Sequence, residues 1–160
     1  MSTKIYRTGA KGALLDIYEQ AISDFKNAVQ HIPDTALFKI IKTPVIDKNC
    51  ESIQAILTHV VYAGFGYANS INQLKFPESR RPEKKFNLTI KEYLEDLTNV
   101  FVYTENIFNE IEEDELQQHN NVLKIKTGWG QLYDTEQLME HAIVHLLRHQ
   151  SQLEKLNRTN

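Results

Sequence analysis

One cysteine, Cys50, stands in the whole 160-residue sequence, so no intramolecular disulfide can form and a reducing compartment is the expected setting. No apolar run approaches the roughly 20 residues that a membrane span needs; the longest, Val60 to Ala68, is nine residues. The first residues, Met1 to Arg7, lack the apolar stretch of a signal peptide. Basic residues are not in excess either, with 18 Lys and Arg against 21 Asp and Glu and a net charge of −3. A phosphate-backbone binder would rest on clustered Lys and Arg. The one dense basic stretch, Arg80 to Lys85, is short and is interrupted by Pro82 and Glu83, so it reads as a solvated loop. A soluble, cytoplasmic protein with no nucleic-acid or membrane partner is the expectation. Apolar residues at 41% and charged residues at 24% then place the chain among globular proteins. Its length suits a single domain over residues 1–160.

Proline and glycine are scarce, four and six, and most lie between periodic segments. Leu14, Tyr18, Ala21, Phe25, Ala28 and Ile32 form one helical stripe, which predicts a helix over about 12–32 with Pro33 as its stop. A short helix is expected over 35–41 and a loop over 44–49. A second long helix, about 50–74, carries a broad apolar face from Ile53 to Leu74. Pro77 and Pro82 forbid its continuation. Thr89-Ile90-Lys91-Glu92 is a capping-box pattern that opens a third helix, running to about Ile111. The stretch 121–132 holds an alternating Leu123-Lys124-Ile125-Lys126 and then Gly128-Trp129-Gly130, which predicts a short extended segment or hairpin. A second capping pattern at Asp134 to Gln137 starts the last helix, which reaches about Leu156. Four amphipathic helices of this length predict an all-α, four-helix antiparallel bundle with a short irregular or hairpin segment before the last helix.

His141, His145 and His149 recur every four residues in the last helix. With Leu138 at zero on a helical wheel, its apolar residues centre near about 60°. His149 then falls at about 20°, His145 at about 340° and His141 at about 300°. His149 should point inward, His145 sit at the edge and His141 lean away. Two imidazoles at i and i+4 on one face can share an ion. His59, between Ile56 and Ala63 on the border of the second helix's apolar face, is the candidate for a third ligand. Three neutral imidazoles leave a divalent ion with open positions, the catalytic rather than the structural pattern. Zinc, nickel, iron and copper all accept imidazole. The competing reading of each histidine is a hydrogen-bonded core residue.

The stretch His145 to Leu153 resembles the HxxxHxxQL signature on the last helix of the DinB-like superfamily. Ser52 to Val60 resembles the superfamily's second-helix motif, which supplies the remaining histidine. The order of helices and the irregular segment before the last one are also similar. Gln150-Ser151 stand where many relatives carry Arg-Gly, which bears on substrate rather than on metal ligands. The resemblance implies a bundle, often homodimeric, holding one divalent metal, zinc or nickel first, on His59, His145 and His149. Relatives include thiol-dependent S-transferases, a maleylpyruvate isomerase and metal-dependent hydrolases. The expected reaction is transfer of a low-molecular-weight thiol to a small electrophilic substrate; hydrolysis, or a non-enzymatic binding bundle, is the alternative.

Gln152 is expected to touch cofactor or substrate, or to orient a metal ligand, with an interhelical hydrogen bond as the plainer role. Cys50, at the start of the second helix, reads as a passive thiol. Trp129 reads as an anchoring aromatic of its loop, and Tyr62, Phe65 and Tyr67 as packing residues. Gly64 and Gly66 cost helix stability and so suggest close helix approach or space near the metal.

Overall fold

The computed structural model describes residues 3–41 and 47–158. Four long helices make the fold: α1 Gly9–Val29, α2 Ile53–Asn72, α3 Ile90–Asn109 and α4 Thr135–Arg158. Each starts close to a capping signal in the sequence or at a sharp change of backbone. Ser52 Oγ accepts from the Ala55 N–H at 3.0 Å and so begins α2 at Ile53, the first residue of its apolar face and three residues later than the expected start. Thr89 and Glu92 form the expected reciprocal box at the head of α3. Asp134 and Gln137 do the same for α4, each side chain accepting from the other's backbone N–H at 2.8 and 3.0 Å. α1 lies three residues nearer the N-terminus than the spacing predicts, beginning at Gly9 with φ of +75° and ending before Ile32 and Pro33.

The short helix expected over 35–41 is a single 3-10 turn, Asp34–Ala36, after which Ile40 bridges to Ser52. The loop expected over 44–49 falls in part outside the described residues, and a 3-10 turn at Lys48–Cys50 leads from it toward α2. The hairpin expected before the last helix is present. β1 Ile125–Lys126 pairs antiparallel with β2 Leu132–Tyr133, Ile125 opposite Tyr133. A 3-10 turn at Asn121–Leu123 occupies the start of the stretch that the alternation marked.

α1 packs against α3 and α4, and α2 packs against the same two, so α1 and α2 lie diagonally across the bundle. Lys11 reaches the Ile111 carbonyl and Lys26 reaches Thr98, so α1 and α3 are antiparallel. His59 meets His145 while Tyr67 meets His141, so α2 and α4 are antiparallel as well. Thr58 meets Tyr93 and Asn69 meets Tyr103, however, so α2 and α3 run the same way. The antiparallel expectation therefore holds for two of the four neighbouring pairs. The reason is the connection at 73–89, which runs back along α2. Lys75 bonds Glu115 near the end of α3, Arg81 lies over the Tyr62 ring, and Asn87 O accepts from Gln54 at 2.9 Å. Tyr18, Phe25, Ile56, Leu57, Tyr93 and Leu97 are among the fully buried side chains between the four helices. No helix among the described residues is long and apolar enough to cross a membrane.

Candidate metal centre

α2 and α4 cross so that the border of one apolar face meets the border of the other. His59 contributes from α2, and His145 and His149, one turn apart, contribute from α4. Their ligand atoms all lie within 4.8 Å of one another, and this is the one such group of three or more histidine, cysteine or acidic side chains among the described residues. His59 Nε2 and His145 Nε2 are 2.9 Å apart, a hydrogen bond in which one ring donates and the other accepts. Ring centroids stand 4.9 Å apart for His59 and His145, 5.1 Å for His59 and His149, and 4.6 Å for His145 and His149.

Three nitrogens around a tetrahedral zinc at about 2.0–2.1 Å would sit about 3.3 Å from each other. The observed cluster needs only small ring movements, and release of the proton shared by His59 and His145, to reach that spacing. The donor set therefore fits a divalent ion of the imidazole-binding kind. No carboxylate belongs to the cluster, so the ion's positive charge would be left unneutralised by its protein ligands.

The rings are held neutral. Burial, reinforced by the neighbouring histidines and by Arg148, pushes His145 down to about 3. Burial likewise lowers His59, with His149 acting in the same direction and Asp47 opposing. His149 is lowered by burial, against its hydrogen bond to Gln152, which works the other way. Neutral imidazole is the form that binds metal, so proton competition at neutral pH is weak.

Gln152 lies one turn beyond His149, and its Oε1 stands 2.9 Å from His149 Nδ1. An amide oxygen has no proton to give, so Nδ1 carries the hydrogen and Nε2 keeps its lone pair for the cluster. The same Oε1 accepts a weak bond from Cys50 Sγ at 3.8 Å. Gln152 thus bonds His149 on its own helix and the Cys50 thiol on the 3-10 turn before α2.

His141 stands outside the trio. Its ring centroid is 6.5 Å from that of His145, and it stacks on Trp129 at 4.6 Å with 24° between the planes. Tyr67 packs edge-on against both His141 and His145, at 5.4 and 5.5 Å. Tyr133 from the hairpin completes this aromatic wall at 5.9 Å from His141. Trp129 is half exposed and donates to Gln131 Oε1 at 2.6 Å. Burial pushes the Tyr67 phenol up to about 12, so it stays protonated. On the other side of the histidines a cleft of about 740 Å³ opens, lined by Ile41, Asp47, Cys50, Arg148 and Gln152.

The structure brings His59, His145 and His149 together, the three histidines that helical facing singles out. Sequence reasoning passed over Tyr67 and Arg148 as parts of the surroundings. Tyr67 was within reach of the helical argument, because it lies about two turns beyond His59 on the same helix. Arg148 gave no such signal, since its neighbour His149 faces inward and Arg148 itself is exposed. No family model matches the chain, and no curated protein matches it.

Proposed function

We propose that this chain is a divalent-metal-dependent enzyme of the DinB-like superfamily, transferring a low-molecular-weight thiol to a small electrophilic substrate. The observation that carries the reading is the His-only cluster, with its ligand atoms within 4.8 Å of one another and open to the cleft. His59, His145 and His149 would hold the ion, zinc or nickel first. When bound, such an ion supplies a Lewis acid that lowers the pKa of a thiol or water toward neutrality and so provides a nucleophile.

The chain's own residues would do the rest. Gln152 holds His149 in the tautomer that offers Nε2. Tyr67 and His141 cover one flank of His145 and keep bulk water from it. The cleft on the opposite flank admits thiol and electrophile together. The same reading makes the chain a cytoplasmic homodimer, which sedimentation of the purified protein tests for its subunit count.

Metal analysis of protein purified without a histidine tag tests the centre. About one equivalent of zinc or nickel is expected, and it should vanish in His145→Ala and in His149→Ala. A protein that purifies without metal and whose melting temperature ignores added zinc would overturn the reading. A panel of thiols with an electrophilic acceptor then tests the reaction. Turnover that ignores thiol but consumes ester or amide substrates would assign the site to hydrolysis instead.

A further inference from the structure

The cleft beside the histidines is more positive than a chain of net charge −3 would suggest. Arg148 lines it together with His59, His145 and His149. Among the described residues its guanidinium belongs to none of the ion pairs. Lys84, on the segment 73–89, stands near Tyr62, one turn beyond His59 on α2. Its ammonium belongs to no ion pair among the described residues either, standing 5.5 Å from the Phe86 ring centroid and 5.8 Å from that of Tyr62. Lys155 also lines the cleft, and Asp47 is the one carboxylate among the described residues that does so. The flank of His145 away from the cleft is closed by Tyr67 and His141. Access to the three histidines is therefore from the side that carries the cations.

A guanidinium presents a planar fork of N–H donors that matches a carboxylate in a way a lysine does not. We propose that the cleft takes a small ligand bearing a carboxylate, seated on Arg148, with its other end turned toward His59, His145 and His149. Lys84, outside the cleft lining, adds a longer-range attraction. The inference rests on the reading that the ligand of the histidine centre enters by this cleft, and it gives that ligand, thiol or electrophile, a chemical class. Its test does not depend on any metal.

Cys50 lines the same cleft and is the chain's single thiol, so its alkylation reports one site. Iodoacetate and iodoacetamide react alike: the thiolate attacks the methylene carbon, a thioether forms and iodide leaves. They differ in the carboxylate. The measurement is the rate ratio of iodoacetate to iodoacetamide on metal-free protein, divided by the same ratio in the urea-unfolded chain. A quotient of about three or more is expected, the size of effect that one unscreened charge a few ångströms away gives in water. Arg148→Gln should bring it close to one, and Lys84→Gln should lower it by less. Lys126→Gln, on the hairpin, should leave it unchanged. Molar salt should collapse it. Succinate should slow alkylation of the parent protein and not of Arg148→Gln.

A quotient near one in the folded protein, or one that Arg148→Gln does not change, overturns the proposal. Should Cys50 resist both reagents, a succinate titration followed at the Arg148 side-chain NMR signal decides: no shift overturns it, a saturable shift upholds it. Arg148→Gln should keep its equivalent of zinc. If the zinc assay fails while the alkylation quotient stands, the metal reading falls and the carboxylate site survives.

Discussion

At the scale of single residues, the centre depends on which nitrogen of each ring is free. His149 is buried, 8% exposed, and its Nδ1 is taken by Gln152, so only Nε2 can serve a metal. Replacing Gln152 by leucine removes the acceptor while keeping the side chain's bulk. We expect Gln152→Leu to retain one equivalent of zinc but bind it about 10–100-fold more weakly, the usual effect of losing a metal ligand's hydrogen-bond partner. Gln152→Glu should recover most of that affinity, which competition with a chromophoric chelator would show. That His149 lies inside and His145 at the edge follows from a 100° step per residue and could be read from spacing alone, whereas His141, expected to lean away, is half-buried against Trp129 and Tyr67. The contact between Gln152 and Cys50 could not, because it joins residues 102 positions apart.

Individual helices show where local signals suffice and where they do not. The capping boxes at Thr89 and Asp134 are local chemistry, and both helices begin there. Gly64 and Gly66 look alike in sequence but have different surroundings. A Cβ on Gly64 would come within 2.6 Å of Val100 Cγ1, a stiff side chain of the parallel neighbour α3. A Cβ on Gly66 would meet the Arg81 guanidinium, the far end of a long side chain that can move aside only by giving up contacts with Tyr62. Gly64→Ala should therefore destabilise the fold by about 1–3 kcal/mol through overpacking. Gly66→Ala should be close to neutral, since alanine is the better helix former by about 1 kcal/mol and this offsets the displaced Arg81 contacts. Urea denaturation of the two variants side by side measures the difference. Near-equal midpoints would contradict the close α2–α3 approach.

Across the whole molecule, stability should respond to acid in two stages. His59, His145, His149 and His141 all have lowered proton affinity in the folded chain, chiefly through burial. Above about pH 6.5 they are neutral both folded and unfolded and contribute nothing. As pH falls below about 6.5 the unfolded chain takes up protons that the folded one refuses, so stability drops toward the lower folded values, about 3 for His145. A second loss follows at lower pH. Burial pushes the Asp16 carboxyl up, but hydrogen bonds from the Arg7 guanidinium and backbone outweigh it and leave it below the ordinary value. Its contribution is present above about pH 4 and disappears as it protonates. Arg7 also binds Glu19 at 2.8 Å and Glu105 at 2.6 Å, so protonation of Asp16 weakens one of three ties that hold the chain before α1 to α1 and α3. Denaturation midpoints of metal-free protein from pH 8 to 3 should show both stages. His145→Gln should flatten the upper stage and leave the lower one. A slope between about pH 6.5 and 4 that the variant does not alter would contradict the buried neutral cluster.

Periodicity, capping residues and the scarcity of proline and glycine were enough to determine four helices, a hairpin before the last, and which faces carry the histidines. These depend on interactions within a few residues, which a linear sequence records directly. The direction of each helix was decided only in three dimensions, because the connection at 73–89 could have turned back or run the bundle's length, and its contacts with α2 make it do the latter. The same holds for the meeting of His59 with His145 and for the cations around their cleft. Both arise from how α2, α4 and the connection at 73–89 pack against one another, which is set by residues far apart in the chain.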